Sequence, residues 1–172
     1  MRPPARSALA EARQSAVHIE LRDGYMADDP GFLAWRDGVR LDPADRGEWW
    51  GGWHDAVADA VARGVEVRRV RVVSEPLSDY VRYEYDVTFT NLAAGEQVRW
   101  LPRRRASRLL LPATDGWVFD RKLALLHHFT GDGQLAEDGR EYVEEATCVQ
   151  RFADAVEEAW DLAVPHEDYR PV

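Results

Sequence analysis

Two stretches place ionisable side chains at the alternating spacing of a β-strand. In His18-Ile19-Glu20-Leu21 the imidazole and the carboxyl share one face and the aliphatic residues share the other. That pairing suits acid–base chemistry, because histidine titrates near neutrality and a neighbouring glutamate can be moved there by its surroundings. The alternative is a structural hydrogen bond across a sheet. In the run 65–73, Arg69 and Arg71 fall on one face, and Arg82 and Glu84 follow on the next element. Guanidinium groups fork carboxylates and phosphates bidentately, so Arg69, Arg71 and Arg82 are the candidate ligand-binding residues for a small anionic metabolite. The alternative is a buried ion-pair network with Glu20, Glu75 or Glu84 that leaves no positive charge over.

The remaining clusters are weaker. His127-His128 with Asp132 could supply metal ligands, but adjacent residues on a strand point to opposite faces, and no metal is expected. If the protein is an enzyme, His18, Glu20, Glu84 and His128 form the catalytic set. Arg103-Arg104-Arg105, near Arg99, Arg108 and Trp100, is the candidate partner-binding cluster. His54 and Cys148 read as ordinary packed residues, and His166 as part of a surface turn. No Walker loop, Rossmann fingerprint, nucleophile elbow or paired-cysteine zinc spacing is present, so no cofactor is expected.

These residues sit in a chain of 172 residues with a formal net charge of −9 and seven Trp. A chain of this length buries roughly 70% of its unfolded surface, which points to one domain with a real core. No apolar run approaches the roughly 18 residues of a membrane span, no signal-peptide pattern opens the chain, and there is one Cys. A cytoplasmic protein without membrane attachment is expected. The charge is uneven: residues 63–108 hold ten Arg against six acidic groups, whereas 109–172 hold five basic and fourteen acidic groups. The net charge repels polyanions at long range, so direct nucleic-acid binding is not expected. An acidic partner surface, or the acidic last third of a second copy in a homodimer, suits the basic cluster better.

The elements that must position these groups follow from periodicity and punctuation. Residues 1–16, with Pro3-Pro4, read as a loose arm, and 17–172 as one globular domain. A short strand begins at Val17. Asp29 caps a helix with Pro30 in its first turn, stopped by Gly38. A longer helix over 45–63 carries Trp49, Trp50 and Trp53 and ends at Gly64. A strand over 65–73 follows, then a helix capped by Ser78 to about Asn91. Short strands are expected at 97–101, 109–111, 117–120 and 123–129, closed by the Gly131-Asp132-Gly133 turn. A last helix over 146–163 ends at Pro165. Strands without intervening helices make this an α/β (α+β) chain with a mixed, mostly antiparallel sheet and flanking helices.

The runs RRVRVVSEPLSDYVRYE (68–84), AGEQVRWLPRR (94–104), DGWVFD (115–120), HHFTGDG (127–133) and WDLAVPHEDY (160–169) resemble an actinobacterial family of domains of unknown function, often encoded beside helix-turn-helix regulators. The likeness extends over nearly the whole chain and departs where Gly116 replaces an aromatic residue before the strand Trp. It implies a regulatory role and brings no settled activity. A second, architectural resemblance is to one half of a phospholipase D-like domain, a fold also used for ligand sensing. Active members need a His-x-Lys pair with an Asp several residues on. The only lysine here is Lys122, and the chain contains no His-x-Lys. The expectation is therefore a non-catalytic regulatory or interaction module that binds a helix-turn-helix partner protein or a small anionic ligand. The alternative is a small enzyme of specialised metabolism with a His/Glu/Arg pocket.

Overall fold

The strand that begins near Val17 is β1, Ser15–Glu20, and it lies at the centre of the sheet. The computed structural model describes residues 5–172. Among these are six helices and seven strands, and the strands form one mixed sheet in the order β6-β5-β4-β1-β2-β3-β7. Strand β2 (Glu66–Val73) pairs parallel to β1 on one side and to β3 (Gln97–Pro102) on the other. Beyond β1, the strands β4 (Asp115–Phe119), β5 (Leu123–Phe129) and β6 (Leu135–Val143) run antiparallel as a meander, and the two-residue β7 (Val164–Pro165) lies antiparallel to β3.

Alternation assigns the two faces. Val17 and Ile19 of β1 with Val70 and Val72 of β2 pack beneath α6, Ala146–Leu162. That helix buries Val149, Ala153, Val156, Ala159 and Trp160 at helical spacing, and its N-cap Glu145 accepts the Thr147 and Cys148 N–H groups. The opposite face is divided. At one end α1 (Ala5–Glu11) and α4 (Gly52–Ala62) cover Ala16, Val67, Trp117, Phe119 and Leu125. At the other end α5 (Asp79–Ala93), capped by Ser78, covers Val73, Val98 and Trp100. Between the two apolar patches lies a polar strip, and it carries His18, Glu20, Arg69 and Arg71.

Several expectations need correction. Residues 5–11 are not a loose arm: α1 packs on α4 with Leu9 fully buried, because its small and aliphatic residues complete the core over β4. Pro3-Pro4 lie outside the described residues. The helix expected over 45–63 is interrupted at Trp50, which is extended, so α3 (Arg46–Trp49) precedes α4; two glycines at roughly 1 kcal/mol each in helix propensity weaken that turn. Residues 109–111 form no strand, and Leu110 is 91% exposed. The Gly131-Asp132-Gly133 turn does not end the sheet but joins β5 to β6, an edge strand whose charged residues hide the alternation a half-buried strand would show. Cys148 is exposed rather than packed. Gly116 stands where it does because a Cβ would lie 2.6 Å from the Leu125 carbonyl oxygen.

Candidate functional site

The parallel register sets His18 beside Arg69 and Glu20 beside Arg71. Glu20 accepts from Arg69 Nη1 and, at 2.6 Å, from Arg71 Nε. Arg69 Nε donates at 2.7 Å to Glu96, which also accepts from Asn91. Arg71 Nη1 donates to Thr88 Oγ1 at 2.7 Å, and Arg71 Nη2 lies 3.7 Å from Glu84 Oε1. All four charged groups of the strip are buried, Glu20, Arg69, Arg71 and Glu96 alike. Buried charges persist only when paired and hydrogen-bonded, and here each guanidinium is spent on an internal carboxylate.

The balance of charge fixes the protonation of what remains. Burial alone would raise Glu20, but the Arg69 and Arg71 charges overcome it and hold the carboxyl well below its ordinary range. With two cations already met by Glu20 and Glu96, the third carboxyl finds little compensation. Burial pushes Glu84 up to about 8, with Arg71 opposing and Glu20 reinforcing the shift. Glu84 is therefore mostly protonated at neutral pH.

Beside this network is a cleft of about 200 Å³ into which His18, Glu20, Glu84, Asp115 and His127 face. Tyr25, Met26, Tyr80 and Phe129 form the rest of its wall. His18 is 7% exposed and stacks on Trp117 with ring centroids 4.4 Å apart. Neither of its ring nitrogens has a hydrogen-bond partner; Glu20 Oε1 stands 3.4 Å from Nδ1 without bonding to it. Burial, reinforced by Arg69, lowers its pKa well below 6.5, so the ring is neutral. Asp115 opens β4 and accepts from the Tyr25 hydroxyl and from the Leu21 N–H at 3.0 Å. Burial raises its pKa to about 6, against the pull of those two bonds. His127, paired in register with Asp115, meets His18 edge to face at 5.8 Å, and burial with Arg140 brings it down to about 4.

Of the residues singled out in the sequence, the structure brings together His18, Glu20, Arg69, Arg71 and Glu84. It separates the others. Arg82 is exposed on α5 and donates to the Leu77 carbonyl, away from Arg69 and Arg71. His128 points to the outer face and pairs with Glu141 at 2.8 Å, so the inward histidine of the pair is His127. Arg103 is engaged within the fold, where it braces the Leu21 and Val72 carbonyls, Ser74 and Asp23, while Arg104 and Arg105 are exposed. His166 lies in the expected turn, half-buried, and accepts from Trp100 Nε1 at 3.0 Å. Tyr25, Glu96 and Asp115 escaped sequence reading because each reaches the site from a loop or a strand end.

The fold is similar to those of solved phospholipase D-family structures. The Nuc protein of Salmonella typhimurium, a phospholipase D family member, is similar with a TM-score of 0.53 and 13% identity, over 96% of this chain and 88% of that one. NucT of Helicobacter pylori gives a TM-score of 0.50 and 11% identity, over 93% and 87%. The archaeal chromatin protein TrmBL2, described as having a novel mode of DNA binding, gives a TM-score of 0.50 and 13% identity over 92% of this chain, which spans about half (48%) of its length. At these identities the likeness is one of fold. The chain itself belongs to the family described as domain of unknown function DUF6879, whose pattern matches residues 4–171. No curated protein matches it.

Proposed function

We propose that the domain is a regulatory ligand-binding module: the cleft over β1 takes a small molecule, and the exposed Arg104 and Arg105 dock the acidic surface of a partner such as a helix-turn-helix regulator. The observation that carries this reading is His18. A buried imidazole with two unpartnered nitrogens costs stability unless something else occupies them, and this one faces a concave, aromatic-walled space. The expected anion site on Arg69 and Arg71 loses its basis, because Glu20 and Glu96 already take both charges. Phospholipase D chemistry gains no support from the fold, since the chain has no His-x-Lys. The DNA binding ascribed to TrmBL2 is not carried over either: Arg69, Arg71 and Arg103 are engaged internally in a chain of net charge −9.

A thermal-shift panel of small acids, amines, sugars and nucleosides on the full chain tests the reading. A ligand at a hundredfold excess over its dissociation constant stabilises by about 2.7 kcal/mol. The expected result is a hit that the wild type shows and a His18→Phe variant does not. No hit across the panel, or equal hits in both proteins, refutes the module. The second reading, an acid–base enzyme, is favoured by a protonated Glu84 sharing the cleft with the neutral His18 and His127. Chemical conversion of the bound hit would select it.

A further inference from the structure

Resting on the ligand-binding reading above, we infer that the cleft is built for a small organic cation, a protonated amine on an aromatic or apolar body, recognised by the carboxyl groups of Glu84 and Asp115, the free nitrogens of His18, and the rings around them. The carboxyl groups are the first ground. Glu20, Glu84 and Asp115 all face one space of about 200 Å³, yet the arginines beside it are committed to Glu20 and Glu96. Glu84 is left with Arg71 at 3.7 Å, and Asp115 with a neutral tyrosine hydroxyl and one backbone N–H. Acid groups gathered with fewer cations than carboxyls beside them call for one from outside.

The second ground is independent of the first. His18 is aimed into the cleft, buried, and unpartnered at both nitrogens. As a neutral ring it offers one acceptor, which an ammonium N–H can fill. The third is the wall: Tyr25 lies 5.8 Å from Tyr80 and 5.4 Å from Phe129, ring to ring, the kind of aromatic surround that attracts cations. A metal ion does not fit, since among the described residues no three His, Cys, Asp or Glu side chains converge to hold one. The residue that argues for an anion instead is Arg22, whose guanidinium lies over the Phe129 ring at 5.1 Å with its Nε unpartnered. It offsets part of the Asp115 charge but does not line the cleft.

A cation arriving beside Glu84 favours the ionised carboxyl, so binding releases a proton. The groups that set this exchange are Arg71, Glu20, Arg69 and Asp115 around Glu84. The experiment uses the full chain at pH 7 and three probes of one shape: benzylamine, benzyl alcohol and benzoate. Calorimetry in two buffers of different ionisation enthalpy counts protons, and histidine ring resonances locate the site. The expected result is benzylamine binding at least tenfold tighter than the other two, with His18 shifted and most of one proton released. In Glu84→Gln the release disappears and benzylamine binding weakens at least tenfold. Benzoate or benzyl alcohol binding as well as benzylamine, benzylamine binding without proton release by the wild type, or no binding by any of the three overturns the cation assignment. The module reading survives each of these results if another compound in the panel responds through His18, so the two can fail separately.

Discussion

Glu84 makes the stability of this domain depend on pH in an unusual direction. Its folded pKa of about 8 lies above the ordinary 4.5, so between those values the folded state holds more protons than the unfolded one. Stability from this group is fully present below pH 4.5 and is lost as pH rises toward 8. Other shifted groups complicate the acid side. His18, His54, His127 and His166 all lie below 6.5 through burial, so each gives stability back as pH rises, a process half complete at 6.5 and finished about a unit above it. Asp115, raised to about 6, acts in the same sense as Glu84 but is finished by that pH. The histidines are common to the wild type and Glu84→Gln, so the difference between the two isolates Glu84 from pH 6.5 to 8. Over that interval the wild type should lose about 1.6 kcal/mol relative to Glu84→Gln, less than the full 1.36 kcal/mol per pH unit because Glu84 is half ionised by pH 8. Glu84→Gln, which mimics the protonated carboxyl, should itself gain about 1 kcal/mol as the unfolded chain's histidines lose their protons. Urea denaturation at steps across this range measures both. A difference in stability between wild type and Glu84→Gln that does not change from pH 6.5 to 8 would refute the placement of Glu84 among charges already balanced.

Other outcomes follow from the same contacts. Glu20→Gln takes the shared carboxylate from Arg69 and Arg71 and should cost about 3–5 kcal/mol in denaturant titrations. His18→Phe keeps a ring against Trp117 and removes two unsatisfied nitrogens, so its stability should be unchanged or higher by about 1 kcal/mol while ligand response is lost. Leu9→Ala should cost about 2–5 kcal/mol, which a loose arm could not. Arg104→Ala with Arg105→Ala should leave the melting temperature within the scatter of surface changes while weakening capture of an acidic partner.

Half of the site was legible in the sequence because it lies on two strands whose alternation is local. His18 with Glu20 and Arg69 with Arg71 each announce a shared face, and the internal pairing of the arginines was one of two outcomes their spacing allowed. What alternation cannot supply is the register between strands distant in sequence. That register puts Glu20 between two arginines, and chain order alone does not predict that β4 returns antiparallel to β1. Asp115 looked like a turn residue because Gly116 follows it, and Tyr25 sits in a loop with no periodicity to read. The histidine pair was ambiguous by one residue, and one residue is the whole difference between cleft and solvent on a strand. Likewise α1 needed the β4 surface it covers before its short apolar stretch could be told from a tail.

The central claim is that the cleft over β1 is a binding site and His18 its unfilled partner. A crystallographic fragment screen of the full chain addresses it most directly. The account predicts fragments bound between Tyr80 and Phe129, with a polar atom within hydrogen-bond distance of a His18 ring nitrogen. Fragments that bind only elsewhere and leave this cleft empty throughout the screen would contradict it.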